Sequence, residues 1–226
     1  LEKDFYKLDD GSPTDCVYVG LCELFSHTKP DLLISGFNIG ANLGEDTTYS
    51  GTVAGAMEGA LHGIQSIAIS QCINDKHGED DKLANRDFTL ALDTIKQLSF
   101  DILHNNYTIG HRKLLNINIP AISKDECKGI KATQLGYRIY NSKAQVMQNP
   151  RGQKYHWIGL NPLQWQERDN ADNPYLKDNF YTRKDMKIIS DFSAVANNYI
   201  SITPMQLDMT DYACMHSLHS YCVEKE

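Results

Sequence analysis

The sequence predicts an α/β fold with a mostly parallel sheet and flanking helices, and residues 31–70 carry this prediction. Two short apolar runs, at 32–35 and 64–70, flank a polar loop and a helical pattern. Both runs are continuous rather than alternating, which is typical of parallel strands buried on both faces. Together these segments form a βαβ unit, whose crossover is expected to be right-handed. The loop, residues 36–51, must then lie beyond the carboxyl ends of the strands, where such sheets bind ligands.

A helix is predicted to begin at Ser12, upstream of this unit. Ser12 suits the N-cap, Pro13 suits the first helical position, and Asp15 lies three residues after the cap. Apolar residues keep the helical spacing to about residue 27. Residues 1–8 are interpreted as the end of a strand.

The helix of the βαβ unit, predicted from Thr52 to about His62, has a face of small residues. Gly55, Gly59 and Gly63 are poor helix formers, each costing up to about 1 kcal/mol relative to alanine. Close packing of the helix on the sheet is the predicted compensation, and these glycines are given no catalytic role.

The downstream sequence completes the α/β domain and adds two appendages. The predicted elements are a surface loop at 74–85, a helix capped by Asp87, strands at 114–120 and 199–203, a strand or hairpin at 128–140, a short helix from Asp191 and a terminal helix at 209–222. The chain is thereby divided into an α/β domain (1–140 and 188–208), a protruding hairpin and loop (141–187) and a C-terminal helix (209–226). Exposed apolar surface on the two appendages is expected to contact another subunit.

Length, charge and cysteine usage exclude several classes of function. A chain of 226 residues that is 41% hydrophobic can bury a substantial core. No run approaches the roughly 18 apolar residues of a membrane span. A net charge of −7 argues against binding a nucleic-acid polymer, which requires a basic face. The six cysteines show no metal-ligand spacing, so reduced thiols in a cytoplasmic protein are the favoured interpretation.

Two asparagines in the loop are candidate ligands. Asn38 and Asn42 alternate with glycines at positions 36, 40 and 44. Amide oxygens suit a hard divalent cation such as Mg²⁺, Mn²⁺ or Ca²⁺, and glycines let backbone N–H groups approach an anion closely. Alternatively, both asparagines only form turns, because asparagine and glycine tolerate left-handed backbone. The residues alone leave both interpretations open.

Ser50, Gly51 and Thr52 immediately precede the helix or open it. Free N–H groups and the positive end of the helix dipole meet two hydroxyls there, so phosphate binding is a natural use. The alternative is ordinary N-capping by Ser50 or Thr52. The same hydroxyl can cap the free helix and bind an anion when one is present. Glu45 and Asp46, in the same loop, are interpreted as a solvated loop edge in preference to an acid pair.

The sequence lacks the motifs of several other enzyme classes. Neither G-x-S-x-G nor a Walker-type G-x-x-x-x-G-K occurs, so a serine hydrolase and a P-loop enzyme lack their key residues. A dinucleotide oxidoreductase would need G-x-G-x-x-G at a first turn, which is also missing. The eight histidines are scattered and show no H-E-x-x-H pattern.

Ordered blocks along nearly the whole chain carry a family resemblance. The most specific are S-G-F-N-I-G-A-N-L-G at 35–44 and Y-S-G-T-V-A-G-A-M-E-G at 49–59. Others are D-G-S-P-T-D-C-V at 10–17, L-L-N-I-N-I-P at 114–120 and S-I-T-P-M-Q-L-D-M-T at 201–210. In this order the blocks resemble the SurE family, the stationary-phase survival 5′-nucleotidases.

The resemblance implies a metal-dependent phosphomonoesterase on a Rossmann-like sheet that hydrolyses nucleoside monophosphates. It implies 5′-nucleotidase activity, with 3′-nucleotidase or exopolyphosphatase activity as further family properties, and one divalent cation per subunit. Asn38 matches the metal-ligand asparagine, and Asn42 the asparagine facing the phosphate. Ser50, Gly51 and Thr52 match the phosphate-contacting block, so Asn42, Ser50 and Thr52 are the expected catalytic residues. A homodimer or homotetramer is expected, and a nucleotide-binding module without turnover is the alternative function.

Part of the family pattern has no counterpart in this sequence. The family's other metal ligands are an Asp pair in N-D-D-G after the first strand and a later Ser, whereas Asp9-Asp10-Gly11 belongs to a later block. Hard cations usually take at least one carboxylate. We therefore expect about 60–70 residues before Leu1, or two βα units at the ~30-residue scale of a βαβ motif. Whether a metal-bound water or an upstream Asp is the nucleophile stays open.

Overall fold

The computed structural model describes residues 4–73, 86–140, 144–158, 164–167 and 188–225. Its strands are β1 (Leu32–Ile39), β2 (Gln65–Gln71), β3 (Lys113–Ile119), β4 (Ile130–Gln134), β5 (Tyr137–Ile139), β6 (Ala144–Gln148), β7 (Lys154–Ile158), β8 (Gln164–Gln166), β9 (Ile189–Ser190) and β10 (Ile200–Gln206). Its α-helices are α1 (Pro13–Val19), α2 (Gly51–Leu61), α3 (Thr89–Leu103), α4 (Asp191–Ala196) and α5 (Met215–Val223). No helix among the described residues is long and apolar enough to cross a membrane.

Six of these strands form the main sheet, in the spatial order β1-β2-β3-β10-β4-β9. Strands β1, β2 and β3 run parallel to one another. Strand β10 lies antiparallel beside β3, and β4 and β9 continue the sheet parallel to β10. The predicted α/β class with a mostly parallel sheet is confirmed. The carboxyl ends of β1, β2 and β3 meet at one edge, and the glycine-rich loop begins there.

Strand β1 extends four residues beyond the apolar run that predicted it. The pairing with β2 shifts between Ser35 and Asn38 and then resumes with Asn38 opposite Ser70. Gly36 allows this irregularity because its φ is +139° and a Cβ there would lie 2.4 Å from the Ile69 carbonyl oxygen. Asn38 therefore belongs to the sheet edge and not to the free part of the loop.

Helix α2 packs directly on the parallel strands through its glycine face. A Cβ on Gly55 would lie 2.8 Å from the Ser35 hydroxyl, and one on Gly59 would lie 2.5 Å from the Ser66 hydroxyl. The predicted close packing of helix on sheet is confirmed for Gly55 and Gly59. It is wrong for Gly63, which follows the helix with a φ of +78° and where a Cβ would meet nothing within 4 Å. In a βαβ unit the helix runs opposite to the strands, so the N-terminus of α2 lies at the carboxyl edge of β1 and β2.

The sheet buries apolar side chains on both faces. On one face, β2 and β3 pack against α3, and on the other face they pack against α2. The first cluster includes Ile67, Ile69, Ile117 and Ile119 with Ala91 and Ile95 of α3, and the second includes Val53, Ala56, Ala68 and Leu114. The continuous apolar runs of the sequence are therefore explained by burial from two sides.

Local signals at helix starts predicted the structure well. The capping box of α1 is present, with Ser12 N–H donating to the Asp15 carboxylate (2.7 Å) and Asp15 N–H donating to the Ser12 hydroxyl (3.3 Å). Helix α1 continues as a π-helical turn, Gly20–Leu24. The N-cap of α3 is Phe88 and not the predicted Asp87, which lies one residue earlier and accepts a hydrogen bond from Thr89 N–H (2.8 Å).

Two local predictions are wrong. Residues 4–8 form no strand, and the hairpin alternative for residues 128–140 fails. Strand β4 joins the main sheet beside β10, whereas β5 pairs with β8, so the two strands flank a turn without pairing with each other. The partners of β4 and β5 lie far along the chain, so no local pattern could specify them.

The stretch 141–187 contains the antiparallel pair β6 and β7 in its described part. The same stretch contributes β8, which pairs with β5. The predicted loop at 74–85 and residues 141–143, 159–163 and 168–187 lie outside the described residues. Beyond the main sheet, α5 is exposed along its whole length, including the apolar side chains Leu218 and Tyr221. All six cysteines are unpaired, as the sequence predicted.

Candidate active site

The glycine-rich loop is fastened to the sheet by two asparagines of β3. Asn118 Oδ1 accepts a hydrogen bond from the Asn42 N–H (2.8 Å), and Asn118 Nδ2 donates to the Asn42 carbonyl (3.0 Å). Asn116 Nδ2 donates to the same carbonyl (2.8 Å). Both β3 side chains are completely buried. These three bonds hold the backbone of Asn42 against β3.

The Asn42 side chain is itself buried at the carboxyl end of β2. Its Nδ2 donates to the hydroxyl of Ser70 (2.7 Å). In the sheet register Ser70 stands between Asn38 of β1 and Asn118 of β3. These three residues form one polar row across the carboxyl ends of three parallel strands. The structure thus brings the two predicted asparagines to the same edge of the sheet.

Asn38 makes the hydrogen bond of a turn residue and still has an oxygen available. Its Nδ2 donates to the Gly40 carbonyl (2.9 Å). The Asn38 side-chain oxygen makes no hydrogen bond with any described residue. The turn and the ligand interpretations are compatible, since they use different atoms of the same amide.

Ser50, Gly51 and Thr52 lie at the N-terminus of α2, as predicted. The Ser50 hydroxyl accepts a hydrogen bond from Val53 N–H (3.1 Å), so Ser50 is the N-cap. The first N–H groups of a helix have no intrahelical partner, and here they belong to Gly51 and Thr52. Gly51 is exposed, whereas Thr52 is buried. The arrangement supplies two backbone donors and two hydroxyls at the positive end of an eleven-residue helix.

Glu45 and Asp46 are not a solvated loop edge, and that prediction is wrong. Glu45 Oε2 accepts a hydrogen bond from the backbone N–H of Arg138 (2.6 Å). Asp46 Oδ2 forms an ion pair with Arg138 Nε (3.3 Å), and its other oxygen accepts from the Tyr140 hydroxyl (2.9 Å). Both carboxylates therefore attach the turn Gly44–Thr48 to β5, and neither is a free acid.

Asp191 is a further residue of the loop network, and the sequence analysis assigned it only to a helix start. It is completely buried, and its Oδ2 accepts a hydrogen bond from Gly44 N–H (2.8 Å). Its Oδ1 accepts from Gly136 N–H (2.8 Å) and Phe192 N–H (2.9 Å). Burial raises the pKa of Asp191, and these backbone hydrogen bonds oppose the rise.

Signals for some of the missed residues were present in the sequence. The alternation N-I-N-I in β3 places Asn116 and Asn118 on one face of a strand that is otherwise apolar, and buried polar side chains require partners. At the start of α4, Ser190 already accepts from Ser193 N–H (3.0 Å). Asp191 directly follows this cap and is not needed for it, so its carboxylate is left to bind groups outside the helix. Which backbone groups these side chains bind is a tertiary property.

The carboxyl edge of the sheet offers the type of ligand that a hard cation prefers, but its described residues supply too few such ligands for a complete site. Asn38 offers a neutral amide oxygen, which is a suitable ligand for Mg²⁺, Mn²⁺ or Ca²⁺. Among the described residues there is no group of three or more His, Cys, Asp or Glu side chains that could hold a metal ion. Asn38 can therefore occupy one ligand position, and the described part of the chain does not supply a complete site.

A loop fixed over the carboxyl ends of parallel strands, beside a free helix N-terminus, is typical of α/β proteins that bind phosphate-bearing ligands. The family model described as Survival protein SurE matches residues 1–142. The chain belongs to the SurE family. The family resemblance of the sequence blocks is thereby confirmed.

Curated relatives extend the match over nearly the whole chain. The chain is 49% identical over 219 residues to the 5′-nucleotidase SurE of Helicobacter hepaticus, covering 96% of this chain and 76% of the relative. It is 45% identical over 222 residues to the protein of the same name from Aliarcobacter butzleri, with 98% and 78% covered. A crystal structure of the SurE protein from Aquifex aeolicus matches with a TM-score of 0.68 and 35% identity, covering 94% of this chain and 73% of that one.

Proposed function

We propose that this chain is a 5′-nucleotidase that hydrolyses the phosphate monoester of nucleoside monophosphates. The observation that carries the proposal is the N-terminus of α2 at the carboxyl edge of the sheet, beside a loop held by Asn116 and Asn118. Family membership, with relatives named 5′-nucleotidase SurE, supports the same reaction. Hydrolysis transfers the phosphoryl group to water and releases a nucleoside and inorganic phosphate.

The α2 N-terminus supplies the groups that bind the phosphate. The N–H groups of Gly51 and Thr52 donate to phosphoryl oxygens, and the hydroxyls of Ser50 and Thr52 add further donors. Because the protein carries a net charge of −7, these local donors and the helix dipole are required for an anionic substrate to bind. Donors that are already in place stabilise charge as it develops in the transition state.

Asn42 and Asn38 line the opposite side of the proposed site. Asn42 is proposed to face the phosphate, and its fixed backbone keeps it in place during turnover. Asn38 is proposed as one ligand of a divalent cation, with its nitrogen bound to Gly40 and its oxygen directed to the metal. Such a cation, one per subunit, would neutralise phosphoryl charge and favour attack by water.

The proposed assembly is a homodimer or a homotetramer in the cytoplasm. Helix α5 exposes a row of apolar side chains that a single subunit leaves in water, including Met215, Leu218, Tyr221 and Val223. Exposed apolar surface of this kind usually marks a subunit contact. Sedimentation at micromolar concentration is expected to show an oligomer, and a single monomeric species would contradict this part of the proposal.

Release of inorganic phosphate from adenosine 5′-monophosphate, with added Mg²⁺ or Mn²⁺ and with EDTA, tests the function. We expect release that EDTA abolishes. Thr52→Val replaces the hydroxyl with a methyl group of similar size, and we expect it to lower kcat by roughly a hundredfold if that hydroxyl stabilises the transition state. Thr48→Val is the control, because among the described residues its hydroxyl binds only the Glu45 carbonyl. Nucleotide binding without phosphate release would instead identify a binding module.

A further inference from the structure

Asp191 joins three parts of the chain: the glycine-rich loop of the candidate site, the turn between β4 and β5, and the start of α4. One carboxylate oxygen binds the N–H of Gly44, within the glycine-rich loop. The other binds the N–H of Gly136, in the turn between β4 and β5, and the N–H of Phe192 in α4. All three donors are backbone groups, and both oxygens act only as acceptors. A carboxylate satisfies all three at once, whereas a neutral amide cannot.

The groups around Asp191 are packed too tightly to shift independently. Gly44 has a φ of +53°, and a Cβ there would lie 2.6 Å from both the Gly136 carbonyl oxygen and Phe192 Cε2. The Phe192 ring is 1% exposed and stacks on Trp165 at 5.5 Å between ring centroids. A displacement of the Asp191 carboxylate must therefore move Gly44.

Gly44 stands between the two halves of the candidate site. Asn42 lies two residues before it, bound to β3, and the turn Gly44–Thr48 leads from it to Ser50 at the cap of α2. The Thr47 hydroxyl donates to the Gly44 carbonyl (2.8 Å), which closes this turn on itself. The position of Gly44 thereby fixes the spacing between Asn42 and the helix N-terminus.

We infer that Asp191 is a positioning residue for phosphate-ester hydrolysis, which holds Gly44 so that Asn42 and the α2 N-terminus keep their reactive spacing. The inference rests on the proposed function, since it assigns a role within that same site. Asp191 does not touch the substrate. It acts through one backbone hydrogen bond, because Gly44 N–H has this carboxylate as its partner.

Asp191→Asn is the informative substitution. The Oδ1 position serves two N–H donors, so the amide oxygen is expected to remain there and the new NH₂ group to face Gly44 N–H. The NH₂ group and the Gly44 N–H are both donors, so the hydrogen bond to the loop is lost. The hydrogen bonds from Gly136 and Phe192 to the remaining oxygen are kept. A misplacement of about 1 Å at a reacting centre can cost about a hundredfold in rate. We therefore expect kcat/KM for adenosine 5′-monophosphate to fall at least about tenfold in protein that circular dichroism shows to be folded.

Ser190→Ala is the matched control. It removes the N-cap of the same helix, because the Ser190 hydroxyl accepts from Ser193 N–H, and it also removes the bond from that hydroxyl to Glu167 Oε1 (2.8 Å). The Asp191 side chain itself is unchanged. We expect its kcat/KM to stay within about threefold of the wild type, since no contact to the loop is lost. Amide hydrogen exchange provides a readout separate from turnover. Exchange at Gly44 should accelerate in Asp191→Asn and not in Ser190→Ala.

A double substitution tests whether Asp191 acts through Gly44. Gly44→Ala should lower kcat/KM by itself, and adding Asp191→Asn should lower it by less than about threefold more, because contacting residues are coupled. Losses that multiply would overturn the inference. So would a folded Asp191→Asn protein with wild-type kcat/KM or with unchanged Gly44 exchange. A wild-type chain that releases no phosphate would overturn the proposed function. Amide exchange at Gly44 would then still test whether Asp191 holds Gly44 in place.

Discussion

The two asparagines of β3 are expected to contribute unequally to stability, although they are neighbours of the same type. Asn118→Ala removes both a donor and an acceptor for Asn42. Two hydrogen bonds at about 1 kcal/mol each are lost, and burial of the unpaired Asn42 N–H adds about 1–3 kcal/mol. Asn116→Ala removes one hydrogen bond of about 1 kcal/mol, and the Asn42 carbonyl keeps its bond from Asn118.

The comparison is controlled because both side chains are completely buried and both substitutions remove the same atoms. Asn116 Oδ1 also has no hydrogen-bond partner among the described residues, so nothing is lost when this atom is removed. We expect Asn118→Ala to lower the free energy of unfolding by about 2–4 kcal/mol more than Asn116→Ala. Urea unfolding of both variants measures the difference. Equal losses, or a larger loss for Asn116→Ala, would refute the proposed fastening of the loop.

Three further outcomes are expected. Asn38→Ala should weaken Mg²⁺ binding in calorimetry, and activity should be partly restored at high metal concentration. The melting temperature of the metal-free protein should stay unchanged, and a much lower value would show that Asn38 is a structural turn residue. Gly59→Ala should lower the free energy of unfolding by about 1–3 kcal/mol, because the new Cβ clashes with Ser66 and this outweighs the better helix propensity of alanine. Gly20→Ala is the control and should not lower it, because a Cβ there meets nothing within 4 Å. Because the pKa of Asp191 is raised on folding, its contribution to stability is present below its ordinary value of 3.8 and is lost as pH rises through the folded pKa. The stability of the wild type relative to Asp191→Asn should therefore fall with rising pH in this window, and a difference independent of pH would contradict the raised pKa.

The sequence predicted the features whose signals are local. Ser12 and Asp15 form a capping box because that motif needs only neighbouring backbone groups. The glycines of α2 indicated close packing because their cost in a helix requires compensation. The βαβ unit then led directly to the sheet edge where Asn38 and Asn42 lie, since parallel strands put their carboxyl ends together.

Features that depend on distant partners were not predictable in the same way. Asp191 binds Gly44 across 147 residues, and Glu45 binds Arg138 across 93. An acidic side chain in a glycine-rich loop has the same local pattern whether it faces water or an arginine. The pairing of β5 with β8 likewise depends on how the chain returns after the hairpin.

The central claim is that phosphate binds at the N-terminus of α2, and amide NMR shifts during a titration with inorganic phosphate test it most directly. The N–H groups of Gly51 and Thr52 are expected to show the largest shifts. The basic segment at Arg112 and Lys113 lies at the start of β3, at the opposite edge of the sheet, and serves as an internal control. Shifts concentrated at Arg112 and Lys113, with Gly51 and Thr52 unchanged, would contradict the account.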